Sequence, residues 1–133
     1  MGSSLDEVGR CADEGPVDVI LAHGFWMLET PVTVRMWRDG VGEQDPRDDQ
    51  MPATEVNWNL AKDYCQKLTD AFRPSMGMST GWLLDLPTEA QWEYACRAGS
   101  TTRYCFADNE RQLGDYAWFA AISGRKRHPV GLK

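Results

Sequence analysis

Four cysteines, Cys11, Cys65, Cys96 and Cys105, and two histidines, His23 and His128, are the side chains of this 133-residue chain best suited to nucleophilic or metal chemistry. A thiolate attacks carbon or holds a soft metal, and an imidazole moves protons or ligates a transition metal. Spacing decides whether they can act together. No two cysteines form a C-x-x-C pair, and the histidines lie far apart, so the local signature of a zinc site is missing. Four cysteines allow three disulfide pairings, and sequence selects none of them. Cys65 and Cys96 fall on predicted helices and read as small buried hydrophobes. Cys11 and Cys105 read as loop thiols. Carboxylates cluster as Asp39, Glu43, Asp45, Asp48 and Asp49 among glycine and proline, between residues 39 and 52. The D-x-[DN]-x-[DN]-G spacing of a calcium loop is absent, so a solvated loop is preferred over a metal site. Nothing resembles G-x-S-x-G, a P-loop or H-E-x-x-H, and no pattern singles out an acid and a base. No catalytic, cofactor-binding or metal-binding residue is assigned.

The elements that must position these residues follow from pattern. Val17–Leu21 is β-branched and partly alternating, and Gly24–Leu28 follows it; both are strand candidates. Thr33 is placed to cap a short helix over 34–38 with Met36 and Trp37 inward. Asn59 is the predicted cap of a longer helix. In it Ala61, Tyr64, Cys65, Leu68 and Phe72 form one apolar stripe opposite Lys62, Asp63, Gln66, Lys67 and Asp70. Residues 73–81 form a loop in which Met76 and Met78 carry no assigned role. Thr88 and Gln91 make a capping box for a third helix. Glu89 there suits the positive end of the dipole, Trp92, Ala95 and Cys96 form the inner face, and Gly99 is the stop. Arg103–Phe106 is a third strand candidate. The chain ends through an aromatic segment, Leu113–Phe119, and His128-Pro129-Val130-Gly131.

Composition narrows the partners. Hydrophobic residues at 42% and charged residues at 26% describe a globular chain rather than a disordered one. Six tryptophans fit an irregular core pinned by large rings, with a binding surface as the second reading. The net charge of -6 repels phosphate backbones, so nucleic acid is excluded as a general partner. The basic run Arg125-Lys126-Arg127-His128 is short and reads as a solvated loop. No apolar stretch approaches the roughly 18 residues of a membrane span. The polar, acidic start lacks the character of a signal peptide, which leads to a cytoplasmic expectation.

One segment is more specific. Leu86-Pro87-Thr88-Glu89-Ala90-Gln91-Trp92-Glu93-Tyr94-Ala95-Cys96-Arg97-Ala98-Gly99 is similar to the signature LPTEAEWEYACRAG of the formylglycine-generating-enzyme, or sulfatase-modifying-factor, family; Gln91 alone departs from it. Gly24-Phe25-Trp26-Met27 with Glu29-Thr30-Pro31-Val32-Thr33 resembles that family's "GFWMG..EVT" opening. Pro52 to Cys65, with Val56-Asn57-Trp58-Asn59 and Tyr64-Cys65, resembles "PV..VSWDDA..FC". Leu113–Phe119, Ser123-Gly124 and His128–Gly131 resemble the segment that follows, and Met1-Gly2-Ser3 resembles an internal "F.MGS". The resemblance spans essentially the whole chain.

It implies an α+β, loop-rich, C-type-lectin-like fold: one partial domain over 1–133, truncated at both ends. The family's founding members convert the cysteine of a Cys-x-Pro-x-Arg sequence in sulfatases to formylglycine. They use oxygen and copper(I) held by two cysteines that lie downstream of the H-P-V-G segment, as does a "GLYDMHGNVWEW" motif. Cys65 and Cys96 match helix cysteines that are structural in some members, while Cys11 and Cys105 match no catalytic position. The family's calcium site uses groups around Tyr116-Ala117-Trp118-Phe119, where Trp118 replaces an oxygen-bearing side chain. Two distant histidines cannot build the three-histidine iron site of a related branch. The leading expectation is therefore a family domain without oxidase activity of its own, holding neither copper nor calcium. A non-catalytic module binding a ligand, protein or peptide is the second reading, and an active copper-dependent oxidase the third. Unpaired edges lead to an expectation of self-association.

Overall fold

The computed structural model of the chain describes all residues except Val8, 42–48 and 75–80. The elements run α1 (Val34–Val41), α2 (Trp58–Phe72), α3 (Glu89–Arg97), a 3-10 turn (Glu110–Gln112) and α4 (Leu113–Tyr116). They belong to two compact units. Unit 1 comprises Met1–Met27 and Pro87–Ala117; unit 2 comprises Leu28–Leu86 and Trp118–Lys133.

Unit 2 is organised by two helices and one bridge. Thr33 caps α1 as its sequence suggests, the hydroxyl accepting from Met36 N at 3.2 Å. Thr33 also pairs with Pro52 in an isolated antiparallel bridge, flanked by Val34 N to Met51 O at 2.8 Å and Ala53 N to Val32 O at 2.9 Å. Helix α2 begins two residues earlier than the placement of Asn59 implies. Asn57 is the cap, with its side-chain oxygen accepting from Leu60 N at 3.0 Å, and Asn59 lies inside the first turn. The apolar stripe holds at its centre. Tyr64 is 6% exposed, stacks on Trp37 at 4.9 Å, and donates its hydroxyl to Met36 O at 3.1 Å. Val34 is 1% exposed and fills the space beside them. Thr69 is buried because its hydroxyl has two jobs: it donates to Cys65 O and accepts from Leu84 N, both at 2.9 Å. The stripe fails at its end, where Phe72 is exposed.

Unit 1 is built on α3. Its capping box forms as the sequence dictates: Thr88 Oγ1 accepts from Gln91 N, and the Gln91 side chain accepts from Thr88 N at 2.9 Å. Ala98 adopts the left-handed conformation at φ 47° and Gly99 follows at φ 86°, which stops the helix. Tyr104, Phe106 and Tyr116 then stack in sequence, with ring centres 5.3 and 4.3 Å apart.

Three expectations are corrected. Among the described residues there is no strand at Val17–Leu21, Gly24–Leu28 or Arg103–Phe106. A strand needs a ladder, and these backbones make only single bonds: Val17 N to Met1 O at 2.9 Å, and a local turn from Tyr104 N to Ala107 O at 3.0 Å. The tryptophans do not pin a core. Trp26 is 91% exposed, and Trp58, Trp82, Trp92 and Trp118 are also exposed; Trp37 alone is half-buried. Cys96 is exposed rather than buried, because the side of α3 that carries it meets no apolar partner. The calcium-loop question at Glu43, Asp45 and Asp48, and the residues Met76 and Met78, lie outside the described residues.

Tyr64 and Val34 therefore carry unit 2, and Trp92 does not contribute by burial. Tyr64→Phe is expected to cost about 1 kcal/mol through the lost hydroxyl bond, and Val34→Ala about 2 kcal/mol. Trp92→Ala should stay within about 0.5 kcal/mol of the parent. Urea unfolding followed by circular dichroism measures all three.

Candidate functional site

The outer surface of α3 and the segment from Val19 to Met27 enclose an open cleft of about 820 Å³ within unit 1. Its walls are mostly apolar: Val19, Leu21, Phe25, Met27 and Tyr94 contribute, with Phe25 meeting Tyr94 edge-on at 6.2 Å. Besides the Tyr94 phenol, three ionisable side chains line it, His23, Glu93 and Arg97. Two of these are already committed to each other, Arg97 Nε donating to Glu93 Oε1 at 2.8 Å. Desolvation opposes ionisation of Glu93, but hydrogen bonds from Arg97 and from Gly2 N, together with the Arg97 charge, outweigh it and hold the carboxyl below the usual range. Glu93 is thus a fixed anion, poorly suited to carry a proton at neutral pH. The cleft offers apolar contact rather than acid–base chemistry.

All four thiols are free; Cys11, Cys96 and Cys105 are exposed, and Cys65 is half-buried on α2. Desolvation and the nearby Asp85 carboxylate push the Cys65 thiol up, against the smaller opposing effect of Lys62. Asp85 itself is held down, first by the hydrogen bond from Lys62. Cys65 is therefore a poor thiolate, hence a weak nucleophile and a weak soft-metal ligand. Among the described residues no three His, Cys, Asp or Glu side chains gather as a metal-binding group.

The C-terminal aromatic segment has its own arrangement within unit 2. Trp118 stacks on His128 with ring centres 3.7 Å apart, and the Lys133 ammonium sits 4.6 Å from the indole centre. His128 Nε2 donates to Ser123 O at 2.9 Å, which fixes the ring. Arg127 donates to Pro52 O and Thr54 Oγ1, each at 3.3 Å, so half of the basic run anchors a loop instead of facing solvent unengaged.

The sequence pattern missed the bond between Gly2 and the pair Glu93–Arg97. The signal was present in two halves: a Glu and an Arg at i, i+4 on one helix face, and a glycine at a position that demands positive φ. Nothing local joins residues so far apart in the chain.

An α3 bearing this signature, capped by Thr88 and tied to a Met-Gly-Ser turn, defines a sulfatase-modifying-factor framework. A family model described as a sulfatase-modifying factor enzyme 1-like domain matches residues 1–131, and the chain belongs to that family. No curated protein and no solved structure matches the chain significantly. Among the described residues no helix is long and apolar enough to cross a membrane.

The environments of the thiols set their order of reaction. Limited alkylation with iodoacetamide at pH 7.5, read by peptide mass spectrometry, should label Cys11, Cys96 and Cys105 well before Cys65. Denaturation should abolish the lag.

Proposed function

We propose that this chain supplies the framework of a sulfatase-modifying-factor domain and has no oxidase activity of its own. The observation that carries this reading is the state of the thiols. Oxidation of a substrate cysteine in this family requires copper(I) between two cysteines, and a soft-metal site needs thiolates brought together. Here Cys65 is held toward the protonated form, and Cys11, Cys96 and Cys105 are separately exposed. The chain on its own binds neither copper nor calcium. For calcium, the support is that an indole, already capped by an imidazole and an ammonium, stands at Trp118 where an oxygen ligand would be needed. The loop-rich, α+β, C-type-lectin-like architecture of one domain over 1–133 is part of the same proposal, supported by family membership and by the long irregular segments between the helices.

A second reading is favoured by a specific observation. Trp26, Leu28, Trp58, Trp92 and Tyr94 are all exposed, far more large apolar surface than solvent contact rewards. That surface supports a module which binds a protein or peptide, or a further copy of the chain, by apolar contact.

The deciding experiment incubates the purified chain with copper(I), oxygen and a Cys-x-Pro-x-Arg peptide, and seeks the aldehyde by mass spectrometry. The expected result is no aldehyde beside an active family member run in parallel. Aldehyde formation would overturn the proposal and place the catalytic thiols among the four cysteines present.

A further inference from the structure

Gly2 is gripped on both of its backbone polar groups by one helix. Its N–H donates to the two Glu93 carboxylate oxygens at 3.0 and 3.2 Å, and its carbonyl accepts from Arg97 Nη2 at 3.0 Å. Arg97 completes the arrangement with Nε on Glu93 and Nη1 on Thr102 O at 3.2 Å. Charge-assisted bonds of this kind are about twice as strong as neutral ones. The site also selects its residue. Gly2 has φ +91°, and a Cβ there would meet Gly15 O at 2.5 Å.

Ser3 and Val17 close the segment back on itself, and Glu7 pairs with Arg103 at 3.8 Å, away from α3. Ser3 is buried, with both its N–H and its hydroxyl bonded to Glu14 O at 3.0 Å, and Arg10 Nε donates to the same hydroxyl at 3.3 Å. Val17 N returns to Met1 O at 2.9 Å. Among the described residues, the hydrogen bonds between this loop and α3 are all made by Gly2. Met1, beside it, forms part of the cleft wall.

We infer that Met1–Ser3, with the Glu14–Val17 segment that bonds back to them, form a strap held on α3 by the Glu93–Arg97 clasp, and that releasing the strap withdraws Met1 and widens the apolar cleft. Glu93 and Arg97 are then positioning residues. Both carboxylate oxygens are occupied by the strap, which leaves the pair no role in proton transfer within the cleft. The spacing of Glu93 and Arg97 in the signature follows: one turn of helix separates an acceptor for an N–H from a donor for the carbonyl of the same residue.

Hydrogen–deuterium exchange on the full chain tests this. Glu93→Ala removes the acceptor, and Gly2→Ala leaves α3 untouched while evicting the strap. Both should speed exchange across residues 1–17 by about tenfold or more, the loss of one charge-assisted bond. Residues 104–116, in the same unit, should change by less than about twofold. Glu93→Gln keeps an oxygen for Gly2 N–H and should fall between parent and Glu93→Ala. Unchanged exchange over 1–17 in Glu93→Ala or Gly2→Ala would overturn the inference. Equal acceleration over 104–116 would overturn it too, since the pair would then be a general stability element of the unit.

Discussion

One carboxylate, Glu93, ties the start of the chain to α3 in a unit with little burial of its own. Ser3 is the single buried residue described there, and none of the unit's described apolar side chains is buried. Small units bury too little surface to be stable by packing alone and usually need a staple, such as a disulfide or a metal. The cysteines here are free. The staple is instead polar: a carboxylate and a guanidinium closing on the backbone of Gly2, with stacked rings at Tyr104, Phe106 and Tyr116 supporting the far side. A clasp of this kind depends on every member being satisfied, because a half-made buried polar network is worse than none.

Unit 2 follows the more usual rule. Val34 and Tyr64 are buried, and the hydroxyl of Tyr64 finds a carbonyl at Met36. Even there the burial is local to the α1–α2 contact, and large apolar groups such as Trp58, Leu60 and Leu83 remain exposed. The family signature thus reads as architecture. Thr88 and Gln91 start a helix, Glu93 and Arg97 bind the strap, and Ala98-Gly99 end the helix.

How much of this the sequence disclosed depends on the range of each interaction. Helix α3 was legible because a capping box is a four-residue pattern, and α2 because Ala61, Tyr64, Cys65 and Leu68 repeat at helical spacing. The cap of α2 was misplaced by two residues, since Asn57 and Asn59 are equally good capping side chains and only the backbone chooses between them. The strand candidates failed because β-branched composition at Val17–Leu21 creates no partner: the segment makes one bond, Val17 N to Met1 O, and no ladder. Inwardness failed for Trp92 and Cys96 because a helix face is buried only if another element arrives to cover it. The clasp was invisible, for its partners stand 91 residues apart. Family resemblance was readable because it rests on the order of many short motifs and not on any contact.

The framework leaves large apolar side chains such as Trp26, Trp58 and Trp92 exposed, which is the support for the proposal of a further binding surface. Sedimentation velocity over a rising series of chain concentrations tests it most directly. The account predicts a weight-average mass that climbs above 15.0 kDa with concentration. A single monomeric boundary at the highest concentration, with one cooperative melting transition, would contradict it.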